Sequence, residues 1–172
     1  MISMELLLRY PIFAGLDMSQ LAILTKVAKN EKLDPEHYIF RVNDEPTHVY
    51  LILDGKVGIF EDVTDKTKEM SMADAITGDI PTKEVMVNTL GSGEMFAAAA
   101  LIPSYKSCVS VKTLEPTTVV AFDSSELHEI FKEDCCLGYE VMTRAATLIS
   151  QRLQAKLIEG LSLDIERLSQ VA

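Results

Sequence analysis

Residues 37–61 read HYIFRVNDEPTHVYLILDGKVGIFE. They fall into three short runs rich in β-branched and aromatic residues, His37 to Val42, His48 to Leu53 and Lys56 to Glu61, parted by turn chemistry. Asn43-Asp44-Glu45-Pro46 and Asp54-Gly55 join them at hairpin-like distance, and Asp-Gly between apolar runs is a strong two-residue turn signal. The three strands are therefore expected to be sequential neighbours. Glu84 to Leu90, Ser107 to Thr113 and Thr117 to Phe122 carry the same texture onward, so the span from Glu31 to about Phe122 predicts a small antiparallel β domain. Thr64 to Thr82, with mixed charges, Gly78 and Pro81, is too long for a tight turn and too poor in apolar residues for a core. It predicts an exposed insertion.

Helical patterns flank this block. Between Leu6 and Ala28 the apolar residues are interrupted by Pro11 and Gly15, and Asp17 is placed to cap a helix with Met18 to Asn30 as its body. Past Phe122, Asp123 with Glu126 three residues later makes a capping-box-like start for Ser124 to Phe131. From about Cys136, Met142, Ala145, Ile149, Leu153 and Leu157 step by three or four, and Leu161, Ile165, Leu168 and Val171 carry the spacing past Gly160. Unbroken, that helix exceeds about 30 residues, or about 50 Å. A small β domain cannot bury both faces of such a helix, so its apolar stripe calls for a partner helix, most economically that of a second copy. The alternative is that Gly160 ends the helix and Ser162 or Asp164 starts a piece that folds back. The chain thus divides into a β domain with N-terminal helices, 1–133, and a C-terminal helical part, 134–172.

With 172 residues and 19.1 kDa the chain has room for one domain and a helical appendage. Apolar residues at 48 %, charged at 24 % and a mean hydropathy of +0.15 indicate a folded protein, and no apolar run approaches the ~18 residues of a membrane helix. Sixteen Lys and Arg against 26 Asp and Glu leave a charge of -10, which opposes nucleic acid and anionic membranes. The N-terminus lacks a secretory cleavage pattern, so a cytoplasmic home is expected. Cys108 and the adjacent Cys135 and Cys136 form neither an even disulfide set nor a zinc spacing. They read as reduced thiols, Cys108 as a buried inert one and the adjacent pair as structural. His37, His48 and His128 share no metal-ligand spacing, and no nucleophile-elbow or phosphate-loop motif occurs. No catalytic residue, metal site or enzymatic activity is expected.

The order of parts, together with three passages, resembles the cyclic nucleotide-binding domain of the cyclic-AMP receptor and fumarate-nitrate regulator superfamily. Tyr10-Pro11-Ile12-Phe13-Ala14-Gly15-Leu16 is similar to that family's opening, and His48-Val49-Tyr50-Leu51-Ile52-Leu53-Asp54-Gly55-Lys56-Val57 to its most recognisable hairpin. Gly91-Ser92-Gly93-Glu94-Met95-Phe96, then Ala97 to Leu101 and Lys106-Ser107-Cys108, occupies the place of its phosphate-binding cassette. The resemblance implies a mainly β fold, a double-stranded β-helix or jelly roll, followed by a long C-terminal dimerisation helix. It also implies ligand contacts at Phe96, Ala97, Ala98, Ala99, Lys106, Ser107 and Cys108.

In the family's cassette a short helix offers N–H groups to a phosphate, an arginine completes the charge and a glutamate takes the ribose hydroxyl. Aligning the family's Phe-Gly-Glu-x-Ala-Leu places Ala97 at the glycine, Ala98 at the glutamate and Lys106 at the arginine. Ala98 has no oxygen, so a ribose would lose a contact worth ~1–3 kcal/mol. Lys106 keeps the charge without the planar fork of a guanidinium. Glu94 lies four residues before Ala98 and reads as an exposed turn residue. Equally, four consecutive alanines allow a short helix to pack under the roll with no ligand. Family turns that often carry glycine show Glu36 or His37 and Asn43 here; asparagine tolerates positive φ, whereas the first position is expected to adopt another turn.

In the family's transcription regulators a winged helix-turn-helix follows the long helix. The sequence to Ala172 contains none, so direct DNA binding is not expected. The expectation is a non-catalytic cytoplasmic sensory or regulatory module that takes a cyclic nucleotide or another small anion weakly and signals through a homodimeric C-terminal helix. No other cofactor is implied. The alternative is a ligand-free interaction module with a degenerate pocket, docking a partner protein through Glu61 to Glu84 or the terminal helix.

Overall fold

The computed structural model describes residues 2–64 and 81–171, with side chains as far as Leu161. Ser3 caps a short helix α1 (Met4–Leu8), a single helical turn follows at Pro11–Phe13, and α2 runs Met18–Val27. Asp17 caps α2 as expected: its carboxylate accepts the Gln20 N–H at 2.8 Å while the Gln20 side chain accepts the Asp17 N–H at 3.1 Å. The helix stops at Val27, short of the expected Asn30, because Ala28 opens a strand, β1 (Ala28–Leu33). That strand, AKNEKL, has almost no β-formers. Its pairing along the buried β8 (Thr117–Asp123), Ala28 to Phe122 through Leu33 to Thr117, overrides local preference.

The remaining strands are β2 (Tyr38–Phe40), β3 (His48–Asp54), β4 (Val57–Thr64), β5 (Thr82–Leu90), β6 (Met95–Phe96) and β7 (Ser110–Thr113). They form two antiparallel four-stranded sheets, β1-β8-β3-β6 and β2-β7-β4-β5. The fold is mainly β, with the two sheets of a jelly roll, as expected. The expectation of sequential neighbours is overturned, since β2, β3 and β4 do not pair with one another. Asp54-Gly55 turns the chain from one sheet to the other instead of closing a hairpin. Phe40, Ile52, Val57, Leu90, Phe96, Val111 and Val119 form one buried cluster drawn from both sheets. On the opposite face of β3 and β8, Val49, Leu51, Val120 and Phe122 are buried, and the Phe13 ring lies 6.0 Å from that of Phe122. The proposed insertion falls on residues 65–80, outside the described residues; β4 and β5 stay paired up to Thr64 and Thr82.

The chain divides into two units, Met1–Leu127 and His128–Ala172. Helix α3 (Ser124–Glu133) is capped by Asp123, whose carboxylate accepts the N–H groups of Ser125 and Glu126 at 2.9 and 3.1 Å. Asp134 then accepts the Leu137 N–H at 2.9 Å and starts α4 (Cys135–Val171). Gly138 is where the second unit packs tightly, because a Cβ there would meet the Phe131 Cβ at 2.9 Å. Helix α4 runs 37 residues, about 55 Å at its usual rise, straight through Gly160. The alternative of a helix ending at that glycine is thereby overturned. Cys135 and Cys136, at its first two positions, are exposed.

Candidate functional site

The cassette begins at a tight turn. Gly93 sits at φ +88 with the Glu94 N–H donating to Gly91 O at 3.1 Å, and the Glu94 carboxylate accepts the Gly91 N–H at 2.9 Å. Glu94 is thus an exposed turn residue tied to its own loop. Strand β6 then pairs with β3, Phe96 opposite Tyr50, and the two rings stack at 4.8 Å with 12° between their planes. Phe96 is 1 % exposed. Burial, with Glu31 adding its negative charge, pushes the Tyr50 hydroxyl up to about 12, so Tyr50 is neutral at physiological pH.

Ala97 is the hinge of the site, with φ +57 and ψ 26, the left-handed region that glycine adopts freely and alanine does not. The backbone shape here is one that glycine usually supplies. Ala98–Leu101 form one helical turn, within which Ala98 is buried and Ala99 half-buried. Among the described residues the N–H groups of Ala98 and Ala99, at its head, carry no hydrogen bond. Replacing Ala97 with glycine is expected to raise the unfolding free energy by about 1 kcal/mol, the relief of the left-handed strain less the added freedom of the unfolded chain. Urea unfolding measures this, and a loss of stability would show that the strain is not there.

The second half of the cassette hangs from a different loop. The Asn43 N–H donates to Ser107 O at 2.7 Å, and the Ser107 N–H to Asp44 O at 2.8 Å. The buried Ser107 hydroxyl donates to Val109 O at 2.7 Å, which turns the chain locally and delays β7 to Ser110, three residues later than the sequence predicts. Lys106 is exposed. Cys108 is exposed too, which corrects the expectation of a buried thiol: its Sγ lies 3.9 Å from the Tyr105 hydroxyl on the surface. Burial first, then Cys108, raises the pKa of Tyr105. The structure therefore places Phe96, Ala97 and Ala98 with the roll's interior and Lys106 and Cys108 at its surface.

Glu36 also departs from expectation, because it keeps the positive-φ turn, at +59, instead of adopting another. Its N–H donates to Thr113 O at 3.0 Å and its carboxylate pairs with Lys112 Nζ at 2.8 Å, contacts that hold it there. Asn43 adopts φ +70 as expected. Sequence reasoning missed Tyr50, which forms a wall against Phe96, and Asp44, which holds Ser107. The alternation of β3 carries a signal for the first; the second rests on a contact between distant loops. Among the described residues no group of three or more His, Cys, Asp or Glu is placed to hold a metal, and no helix is long and apolar enough to cross a membrane.

The family model for the cyclic nucleotide-binding domain matches residues 30–134. A protein described as cyclic nucleotide-binding from Geobacter metallireducens GS-15 shares the fold at TM-score 0.70 and 24 % identity, over 89 % of this chain and 99 % of that one. The catabolite activator protein of Thermus thermophilus follows at TM-score 0.66 and 21 % identity, over 90 % of this chain and 63 % of that one. The sensor domain of the transcriptional regulator DNR from Pseudomonas aeruginosa gives 0.61 and 17 %, over 87 % and 90 %. No curated protein matches the chain in sequence.

Proposed function

Because this chain belongs to the cyclic nucleotide-binding domain family, we propose that it is a non-catalytic, cytoplasmic regulatory module whose cassette, residues 96–108, takes a small phosphate-bearing anion without gripping a ribose. The observation that carries this reading is Ala97 at φ +57: strain of this kind persists where the surroundings demand one backbone shape, and here it stands at the head of a helical turn whose first two N–H groups carry no hydrogen bond among the described residues. Lys106 adds the positive charge, as a point charge and not a fork. Ala98 offers a ribose hydroxyl no acceptor, and Ser107 has already spent its N–H and O–H on Asp44 and Val109.

Calorimetry with cyclic AMP, cyclic GMP, cyclic dinucleotides and 2′-deoxy cyclic AMP tests the reading. Cyclic AMP and its 2′-deoxy form are expected to bind alike, whereas a site that holds the 2′-hydroxyl separates them by about ten- to a hundredfold. Lys106→Ala is expected to weaken both together. No heat and no thermal shift with any of these anions would remove the sensing role.

A second reading, a ligand-free interaction module, is favoured by the burial of Ala98 and the internal bonding of Ser107. In both readings we propose that α4 pairs with the α4 of a second copy. Support comes from its exposed Met142, Ile149, Leu153, Leu157 and Leu161, a row that water does not favour.

A further inference from the structure

Free cysteine is among the residues most often buried, yet Cys135 and Cys136 stand side by side and exposed at the first two positions of α4. Among the described residues neither thiol makes a hydrogen bond. The fold thus draws no hydrogen bond from the pair and buries neither member, and both sulfurs are open to reagents in solution.

The backbone around them is tied down. The Asp134 carboxylate accepts the Leu137 N–H at 2.9 Å and the Gly138 N–H donates to Asp134 O at 3.0 Å, so both bonds arch over the peptide that joins the two cysteines. Leu137 is fully buried, and Gly138 lies against Phe131. Neighbours in a helix point about 100° apart, whereas a disulfide needs its two Cβ atoms about 3.8 Å from each other. The Cα atoms of adjacent residues, about 3.8 Å apart, are also closer than a disulfide ordinarily spans. A bond between these two sulfurs therefore cannot close while the first turn of α4 keeps its helical shape. Strained, exposed disulfides are the readily reduced kind, the kind that opens again when conditions change.

We propose that Cys135 and Cys136 are a reversible oxidation site, a dithiol that closes to a disulfide between neighbouring residues by exchange with a small disulfide, and that the first turn of α4 opens when it does. One cysteine thiolate attacks a sulfur of the small disulfide, and one small thiolate leaves. The neighbouring thiolate then attacks the protein sulfur of the mixed disulfide just formed, and the second small thiolate leaves. The two protons given up by the cysteines end on the two released thiols. The pair is oxidised by two electrons, and the small disulfide is reduced by two. Cys108 is exposed as well but has no adjacent thiol in the chain, so exchange there stops at the mixed disulfide.

The full chain with Cys108→Ser, equilibrated in mixtures of reduced and oxidised glutathione, tests this by peptide mass and amide hydrogen exchange. The peptide holding both cysteines is expected to lose two hydrogen atoms and to regain them in reduced glutathione. The Leu137 and Gly138 amides are expected to exchange about tenfold faster or more in the oxidised chain, while those of Val119 and Val120 in β8 keep their rates. Cys135→Ser and Cys136→Ser are each expected to retain glutathione on the remaining thiol, because the sulfur that would displace it is gone. A chain with both cysteines that stays reduced, retains glutathione or joins a second copy through an interchain disulfide overturns the site. A disulfide that forms within the pair without speeding exchange at Leu137 and Gly138 overturns the opening of the turn.

Discussion

Phe96→Ala is expected to lower the unfolding free energy by about 3–5 kcal/mol, the range for truncating a fully buried aromatic ring. The side chain is 1 % exposed, belongs to the cluster drawn from both sheets and stacks on Tyr50 at 4.8 Å. Its removal therefore loses both transfer energy and an aromatic pair. A urea titration should show the midpoint falling with little change in slope. Tyr50 reports the same event independently. Its hydroxyl, held at about 12 by burial, should titrate closer to its ordinary value once the ring beside it is gone. The folded state binds that proton more tightly than the unfolded chain does. This contribution to stability is therefore present below pH 10.0 and is lost as pH rises toward about 12. A loss below ~1 kcal/mol would mean that Phe96 is a replaceable lining residue and not a core one.

Phe96 also shows how far the sequence could be read. The strands whose residues are β-branched or aromatic on both faces, His48–Asp54 and Thr117–Asp123, are legible because local preference and burial agree there. Ala28–Leu33 and Met95–Phe96 are not, the first because its residues are polar and charged, the second because two residues make no pattern. Both are strands only by virtue of their partners, β8 and β3. The place of the cassette could be read from its order of residues. Its wiring could not, since Asn43 and Asp44 reach Ser107 across the fold and nothing near Ser107 in the chain announces them. The exposure of Cys108 follows from the same cause: the Ser107 turn postpones β7, and the alternation assumed for a strand starting at Ser107 does not apply.

Asp54-Gly55 was readable as a turn and unreadable as a crossing between sheets, and a substitution separates the two roles. Gly55→Ala is expected to cost about 3–5 kcal/mol, the sum of a left-handed strain and a steric clash. Gly55 sits at φ +96, and a Cβ there would lie 2.6 Å from Thr117 Oγ1, 2.7 Å from Pro116 O and 2.8 Å from Thr117 Cα. Two of those three atoms are backbone or attached directly to it, so no rotamer change relieves them. Thr117 cannot retreat cheaply either: its hydroxyl hydrogen-bonds Glu115 O at 2.7 Å and Lys56 O at 3.2 Å, and the Leu114 N–H donates to Lys56 O at 2.9 Å. Those contacts hold the start of β8 against the turn where the chain leaves one sheet for the other. A glycine serving only as the left-handed residue of an open hairpin would cost about 1–2 kcal/mol on the same change. Gly91→Ala, where a Cβ meets nothing within 4 Å, is the control and is expected to be near neutral in urea unfolding. If Gly55→Ala lost no more than the left-handed strain alone, the close approach of the turn to Thr117 would be wrong. The sheet-to-sheet crossing would then lack the contact that holds it in register.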